Sequence, residues 1–236
     1  MRVLLTRPQA DAERTAAALR RMGHQIVLSP MLRIETLPDV ELGSGPWSGV
    51  ALTSANAARA IASHARIGEL VSLTAFTVGR QTAEAAKAAG FRRVESADGS
   101  LPDLVQLLAG CVSPAAGELL YLAGAERSGD LAGALGSRGV RVRVAVVYRA
   151  AAVENLPEEA RAAFGAGRVD AVLHFSRRSA SAFLVAVRSA GLVDESLGAR
   201  HYCLSAQVAE PLLAAGMKPV LAAKPEEEAL LALLDA

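Results

Sequence analysis

Residues 76–91 read FTVGRQTAEAAKAAGF, and residues 202–217 read YCLSAQVAEPLLAAGM. At an offset of 126 residues, Ala83-Glu84 falls on Ala209-Glu210, and Ala88-Ala89-Gly90 on Ala214-Ala215-Gly216. Each copy is a short apolar run, a small-residue turn, an Ala-rich helical stretch and a closing glycine. That order predicts strand, turn, helix and a left-handed C-cap at Gly90 and Gly216. Self-similarity on this scale marks a fold built by duplication.

Two further pairings extend the repeat. VALTSANAARAI (50–61) matches AVLHFSRRSASAF (171–183), each an apolar strand whose closing serine, Ser54 or Ser176, opens a helix. The N-terminal stretch 2–30 resembles 119–148, with Gly23 falling on Gly139. The chain therefore reads as A (1–35), B (47–110), A′ (117–150) and B′ (168–236). TLPDVELGSGP (36–46) and AAVENLPEEARAAFGAG (151–167) form the breaks. Strands alternating with helices predict an α/β fold, two similar lobes with parallel sheets covered on both faces. Neither A nor B has enough strands for a doubly wound sheet, so each lobe needs one of each. The pattern leaves open whether A closes on B or on B′.

Composition narrows the function. Lys+Arg is 25 against Asp+Glu 24, so no global basic field exists to hold a nucleic acid. Aromatics at 4% leave few stacking platforms for bases. Cys111 and Cys203 form no CxxC pair and read as buried, reduced thiols, which suits the cytoplasm. His24, His64, His174 and His201 lack metal-ligand spacing, and no metal is expected. The N-terminal apolar run ends at Arg7-Pro8 and reads as a first strand, and no apolar stretch is long enough to span a membrane.

Ligands of open α/β sheets bind beyond the carboxyl ends of the strands. Here those ends read Thr6-Arg7-Pro8, Thr53-Ser54-Ala55-Asn56, Gly79-Arg80-Gln81-Thr82, Gly124-Ala125-Glu126-Arg127, Ser176-Arg177-Arg178 and Ser205-Ala206-Gln207. Hydroxyls, small residues and arginines dominate, the chemistry of a multiply charged anion site. A plainer role exists for each: the serines serve equally as helix N-caps, the arginines as solvated charges. No P-loop, no GxGxxG after a strand and no GxSxG elbow is present. His174 lies inside an apolar strand and reads as a core residue. Tyr148 ends the strand RVRVAVVYRA and reads either as a β-favouring aromatic or as a phenol facing the site, a weak acid with a reference pKa of about 10.

LLTRP, LTSANA, TVGRQTAEAAKAAG, AGAER, VVYRA, HFSRRSASAF and LSAQVAEPLLAAG occur in the order seen in uroporphyrinogen-III synthases, and the chain resembles that family over nearly its whole length. The resemblance implies two flavodoxin-like lobes: a discontinuous domain of residues 1–36 and 151–236, and a continuous one of 37–150. Antiparallel linker strands near 31–37 and 143–150 would join them. It implies cyclisation of hydroxymethylbilane, a linear tetrapyrrole, to uroporphyrinogen III with inversion of ring D and loss of water, by a monomeric hydro-lyase without cofactor. A partner so implied is the enzyme that supplies hydroxymethylbilane, met transiently. By motif position, Tyr148 would assist loss of the hydroxyl. Arg7, Thr53, Ser54, Asn56, Gly79, Thr82, Gly124, Arg127, Ser176, Arg177 and Ser205 would bind substrate. Ser205-Ala206-Gln207-Val208 stands where many relatives carry a Gly-Pro-x-Thr-like turn, so a threonine donor is missing at that corner. The alternative is a catalytically inactive two-lobed module that binds an anion or tetrapyrrole.

Overall fold

Apolar runs at the head of each repeat form strands, and the Ala-rich stretches behind them form helices. The computed structural model describes residues 1–127 and 129–234. In chain order the elements begin with β1 (Arg2–Leu5), α1 (Gln9–Arg21), β2 (Gln25–Leu28), β3 (Leu32–Thr36), β4 (Trp47–Leu52), α2 (Ala55–Ile61), α3 (Ile67–Leu70) and β5 (Thr74–Thr77). They continue through α4 (Arg80–Ala88), β6 (Arg93–Ser96), α5 (Leu101–Cys111), β7 (Glu118–Gly124), α6 (Leu131–Gly136), β8 (Val142–Ala152), α7 (Glu158–Gly165) and β9 (Ala171–His174). The last are α8 (Arg177–Ser189), α9 (Val193–Gly198), β10 (Arg200–Cys203), α10 (Ala206–Ala214), β11 (Val220–Leu221) and α11 (Glu227–Leu231). Gly90 and Gly216 follow their helices at φ +101° and +82°, a conformation that side chains disfavour, and so end α4 and α10 alike.

The chain forms two compact units: Met1–Arg33 with Ala151–Ala236, and Ile34–Ala150. The first holds a sheet of order β11-β10-β9-β1-β2, parallel throughout. The second sheet has the order β3-β8-β7-β4-β5-β6, parallel from β8 to β6. Counted by repeat, both parallel arrays run in one order: second and first strands of an A unit, then the three strands of a B unit. That is the flavodoxin-like order 2-1-3-4-5. In the first unit the A strands precede the B strands along the chain. In the second they follow them, so one array is a circular permutation of the other. Register repeats too. Val50 opposes Ala75, and Val172, its counterpart when Ser54 is set on Ser176, opposes His201, the counterpart of Ala75.

β3 and β8 are neighbours in the second sheet. Leu37 N–H donates to Val147 O and Val153 N–H to Met31 O, each at 2.9 Å, an antiparallel sense. This linker pair is thus no separate ribbon. β8 is one eleven-residue strand whose first part extends the parallel array. Tyr148 consequently lies inside β8 rather than at its end, a correction to the sequence reading.

Alternation along the strands divides each unit's core between the two sheet faces. Val50, Leu52, Leu120, Leu122, Ala145 and Val147 pack on one face of the second sheet, with α2. Ala51, Phe76, Leu119, Tyr121 and Ala123 pack on the other, with α5 and α6. In the first unit Leu4, Val172 and Cys203 share one face, and Val3, Leu5, Ala171, Leu173 and Tyr202 the other. Cys203 is buried, which pushes its thiol pKa up to about 12, whereas Cys111 is exposed, against expectation, because it closes α5 at the surface. Among the described residues no helix is long and apolar enough to cross a membrane.

Candidate functional site

In each array the connections diverge at one point: between β4 and β7 in the second unit, and between β1 and β9 in the first. Such switch points open a crevice at the carboxyl ends of the strands. In the second unit the loops that flank it are Thr53-Ser54 after β4 and Gly124–Arg127 at the end of β7.

Thr53 and Ser54 are consecutive, and each meets a phenol. Thr53 Oγ1 and Tyr121 Oη lie 2.9 Å apart, and the Ser54 hydroxyl is near enough to Tyr148 to influence its ionisation. Tyr121 belongs to the α5 and α6 face of the sheet, while Tyr148 packs against the α2 face. A bulge explains the second placement. Ala123 opposes Val146 but Gly124 opposes Tyr148, so Val147 is an extra residue in β8. An added residue shifts the alternation by one, and Val147 and Tyr148 pack on the same face. Gly124 supplies the room: a Cβ there would stand 2.6 Å from Tyr148 Cζ and 2.8 Å from its hydroxyl. Burial pushes the Tyr148 phenol above the usual tyrosine range, with the Ser54 hydroxyl pulling it back and the nearby Tyr121 and Glu126 raising it further. The phenol is therefore held protonated, as a proton donor must be.

The remaining groups of this unit lie at neighbouring strand ends. Asn56 N–H donates to Ser54 Oγ at 3.2 Å, and its side-chain oxygen accepts from Arg59 at 2.8 Å. Ser54 thus caps α2 as well as meeting Tyr148. Gly79 caps α4 without a side chain, and a Cβ there would meet nothing within 4 Å. Thr82 is buried in the first turn of α4. Arg127 is exposed in the loop after β7.

In the first unit the expected residues hold more internal bonds. Arg7 Nη1 donates to Thr15 Oγ1 and to Glu227 Oε2, each at 2.9 Å, and its guanidinium stacks 4.3 Å from the Phe175 ring centroid. Thr15 donates to the other Glu227 oxygen at 2.5 Å. Burial alone would raise the Glu227 carboxyl pKa; the Thr15 hydrogen bond and the Arg7 and Arg14 cations overcome it and hold the group below the usual carboxylate range. Arg7 is thus a clamp tying α11 to the end of β1. Ser176 Oγ accepts from Ser179 N–H at 3.1 Å, capping α8. Arg177 pairs with Glu210 at 3.3 Å on the surface. Ser205 caps α10 through its backbone, with no side-chain cap bond.

Sequence reasoning missed two features. Tyr121 lies in an apolar strand and reads there as core, although a buried phenol needs a hydrogen-bond partner and so carries a signal. His174 and His201 show no ligand spacing yet meet in space, Nε2 to Nδ1 at 3.1 Å, with His201 Nε2 on Ser196 O at 2.8 Å. Burial lowers both pKa values, His201 further depressing His174, so the pair is neutral and belongs to the core. Among the described residues no three His, Cys, Asp or Glu side chains gather as a metal site.

The family model for uroporphyrinogen-III synthase HemD matches residues 13–232. Among solved structures, the chain is similar to uroporphyrinogen-III synthetase from Helicobacter pylori 26695, at 19% identity and a TM-score of 0.67, over 99% of this chain and 98% of that one. It is also similar to a mutant uroporphyrinogen III synthase from the extremely thermophilic bacterium Thermus thermophilus, at 19% identity and a TM-score of 0.50, over 100% of this chain and 96% of that one. At these identities the two structures speak for the fold. No curated protein matches the chain.

Proposed function

The chain belongs to the uroporphyrinogen-III synthase family, and we propose that it cyclises hydroxymethylbilane to uroporphyrinogen III, inverting ring D and releasing water. The family match over nearly the whole chain carries this reading; nothing favours an inactive binding module. The enzyme is a lyase-type cyclase of tetrapyrrole biosynthesis. We read its functional domains as residues 1–36 with 151–236, and 37–150. A monomer in the cytoplasm, passing substrate from the enzyme that makes it by transient contact, is the assembly we expect. The unpaired cysteines suit that compartment.

The chemistry asked of the protein is small. The hydroxymethyl group must lose its oxygen as water, and the resulting electrophilic carbon must meet the substituted position of ring D rather than its free one. Tyr148, protonated and packed over Gly124, donates its proton to the departing hydroxyl. The phenolate takes back the proton that ring D releases once the macrocycle has closed, so the phenol is regenerated. General acid assistance of this kind contributes about 10²- to 10⁴-fold. Because the substrate also closes unaided without inversion, orientation decides the product. Thr53, Ser54, Asn56, Thr82 and the loop amides at Gly79 and Gly124, with Arg127, are the groups we assign to holding it in the second unit. Ser176, Arg177 and Ser205 are those of the first, with Arg7 bracing its loop.

The test is product identity. Purified protein, coupled to a continuous enzymatic supply of hydroxymethylbilane, is expected to give mainly the type III isomer on chromatography. A product no different from the spontaneous type I isomer overturns the reading.

A further inference from the structure

Thr53 is half-exposed at the end of β4, and the phenol behind it, Tyr121, is only 3% exposed. A buried phenolic O–H has to be hydrogen-bonded. Among the described residues the partner of the Tyr121 hydroxyl is Thr53 Oγ1, at 2.9 Å. Either hydroxyl can donate in this contact, and burial of the phenol favours Tyr121 as the donor. If the buried phenol spends its proton on Thr53, the proton of Thr53 cannot lie along the same line. It turns instead to the half-exposed side, toward an acceptor beyond the strand end.

We infer that Tyr121 is a positioning residue of the cyclisation: it fixes the Thr53 hydroxyl as an outward-pointing donor to a carboxylate of the tetrapyrrole. The inference rests on reading the β4–β7 switch point as the substrate site.

Three further observations support it. Tyr121 and Tyr148 belong to opposite faces of the sheet, so the phenol that meets Thr53 is separate from the one assigned to the chemistry. Ser54 has a second duty as helix cap, accepting from Asn56 N–H. Thr53 has no such duty, and the phenol is what orients it. Tyr121 is also rigid. Its ring packs among Ala51, Phe76 and Leu119 in a face of the core, and its backbone sits in the middle of β7, opposite Ala51. A donor anchored through a core ring loses less freedom on binding than a free threonine rotor, and that is how a second layer of residues sharpens a site.

The experiment uses the full chain with coupled hydroxymethylbilane supply, comparing Tyr121→Phe, Thr53→Val, Thr53→Ser and the Tyr121→Phe/Thr53→Val double variant. Tyr121→Phe keeps the core ring, and thermal unfolding verifies that each variant is folded. Thr53→Val is expected to lower kcat/KM by about tenfold, mostly through KM, as befits loss of one hydrogen bond to a charged group. Tyr121→Phe should lower it by about threefold to fivefold, again in KM, and raise the share of type I product. The double variant should be no worse than Thr53→Val, since the phenol acts only through that hydroxyl. Thr53→Ser should restore most of the activity when Tyr121 is intact. Additive losses, or a Tyr121→Phe enzyme with wild-type KM and isomer ratio beside an impaired Thr53→Val, overturn the role of Tyr121. A Thr53→Val enzyme identical to wild type in KM and isomer ratio instead overturns the substrate site itself.

Discussion

The Tyr148 ring fills the volume that a side chain on Gly124 would occupy, with Cζ 2.6 Å and the hydroxyl 2.8 Å from an ideal Cβ at that glycine. The two residues are paired across β7 and β8 at the bulge. Gly124→Ala therefore pushes the phenol out of its place while leaving the strand intact. A displacement of about 1 Å at a reacting group costs about 10²-fold in rate. We expect kcat to fall to that extent, with circular dichroism unchanged. The matched control is Gly110→Ala, whose place inside α5 and empty surroundings accept a methyl group. Full activity in Gly124→Ala would show that the phenol need not sit where it does.

Tyr148→Phe removes the proton donor and keeps the ring. Turnover should fall by about 10²-fold or more, and the residual product should shift toward type I. Since burial raises this phenol, the acid form outlasts an ordinary tyrosine as pH rises. The folded state then holds a proton that the unfolded chain has released. The associated stability is complete below the unfolded value near 10 and is lost as pH climbs through the folded one. Alkaline titration of phenolate absorbance, wild type minus Tyr148→Phe, should show one group ionising late. Ser54→Ala should move it later still, because the Ser54 hydroxyl lowers this pKa.

His174 and His201 predict acid lability of the first unit. Both are buried and both pKa values are depressed in the fold. Below about pH 6.5 the unfolded chain takes up protons that the native pair refuses. The stability is thus present above that pH and is lost as pH falls. Tm should drop more steeply between neutral pH and mild acid for wild type than for His174→Leu/His201→Leu, which removes both partners together. Parallel curves would contradict the assignment.

Glu227→Gln tests the clamp on α11. The Arg7 and Glu227 side chains are 15% and 30% exposed, so the pair is screened less than a surface ion pair. Taking the Glu227 charge from Arg7, with Asp11 left at 4.0 Å, should destabilise the chain by about 1–2 kcal/mol in urea unfolding, with KM for substrate little changed. A large KM effect without loss of stability would make Arg7 a ligand-binding residue and not a brace.

Much of the layout was readable from residue order. The Ala-Glu and Ala-Ala-Gly matches between 76–91 and 202–217 located equivalent helices, and Ser54 and Ser176 cap theirs as their positions require. The strand-end serines were legible as caps because a serine that closes an apolar run ahead of a helix can accept one of its free N–H groups. The partners of those residues were not. Arg7 reads as an anion binder until Glu227, 220 positions away in sequence, is seen on it. Tyr121 reads as core until Thr53 is found at its hydroxyl.

The sequence by itself determined the repeat A-B-A′-B′, the parallel α/β class and the chemical character of the strand ends, since all three rest on local periodicity and residue type. Only the tertiary structure decided that β1 lies against β9 and β7 against β4, because apolar strands of similar length offer the same hydrogen bonds to more than one neighbour. It alone also set Tyr148 toward Ser54. That orientation depends on one extra residue between Val146 and Tyr148 relative to β7, and a bulge exists only in the pairing of two strands.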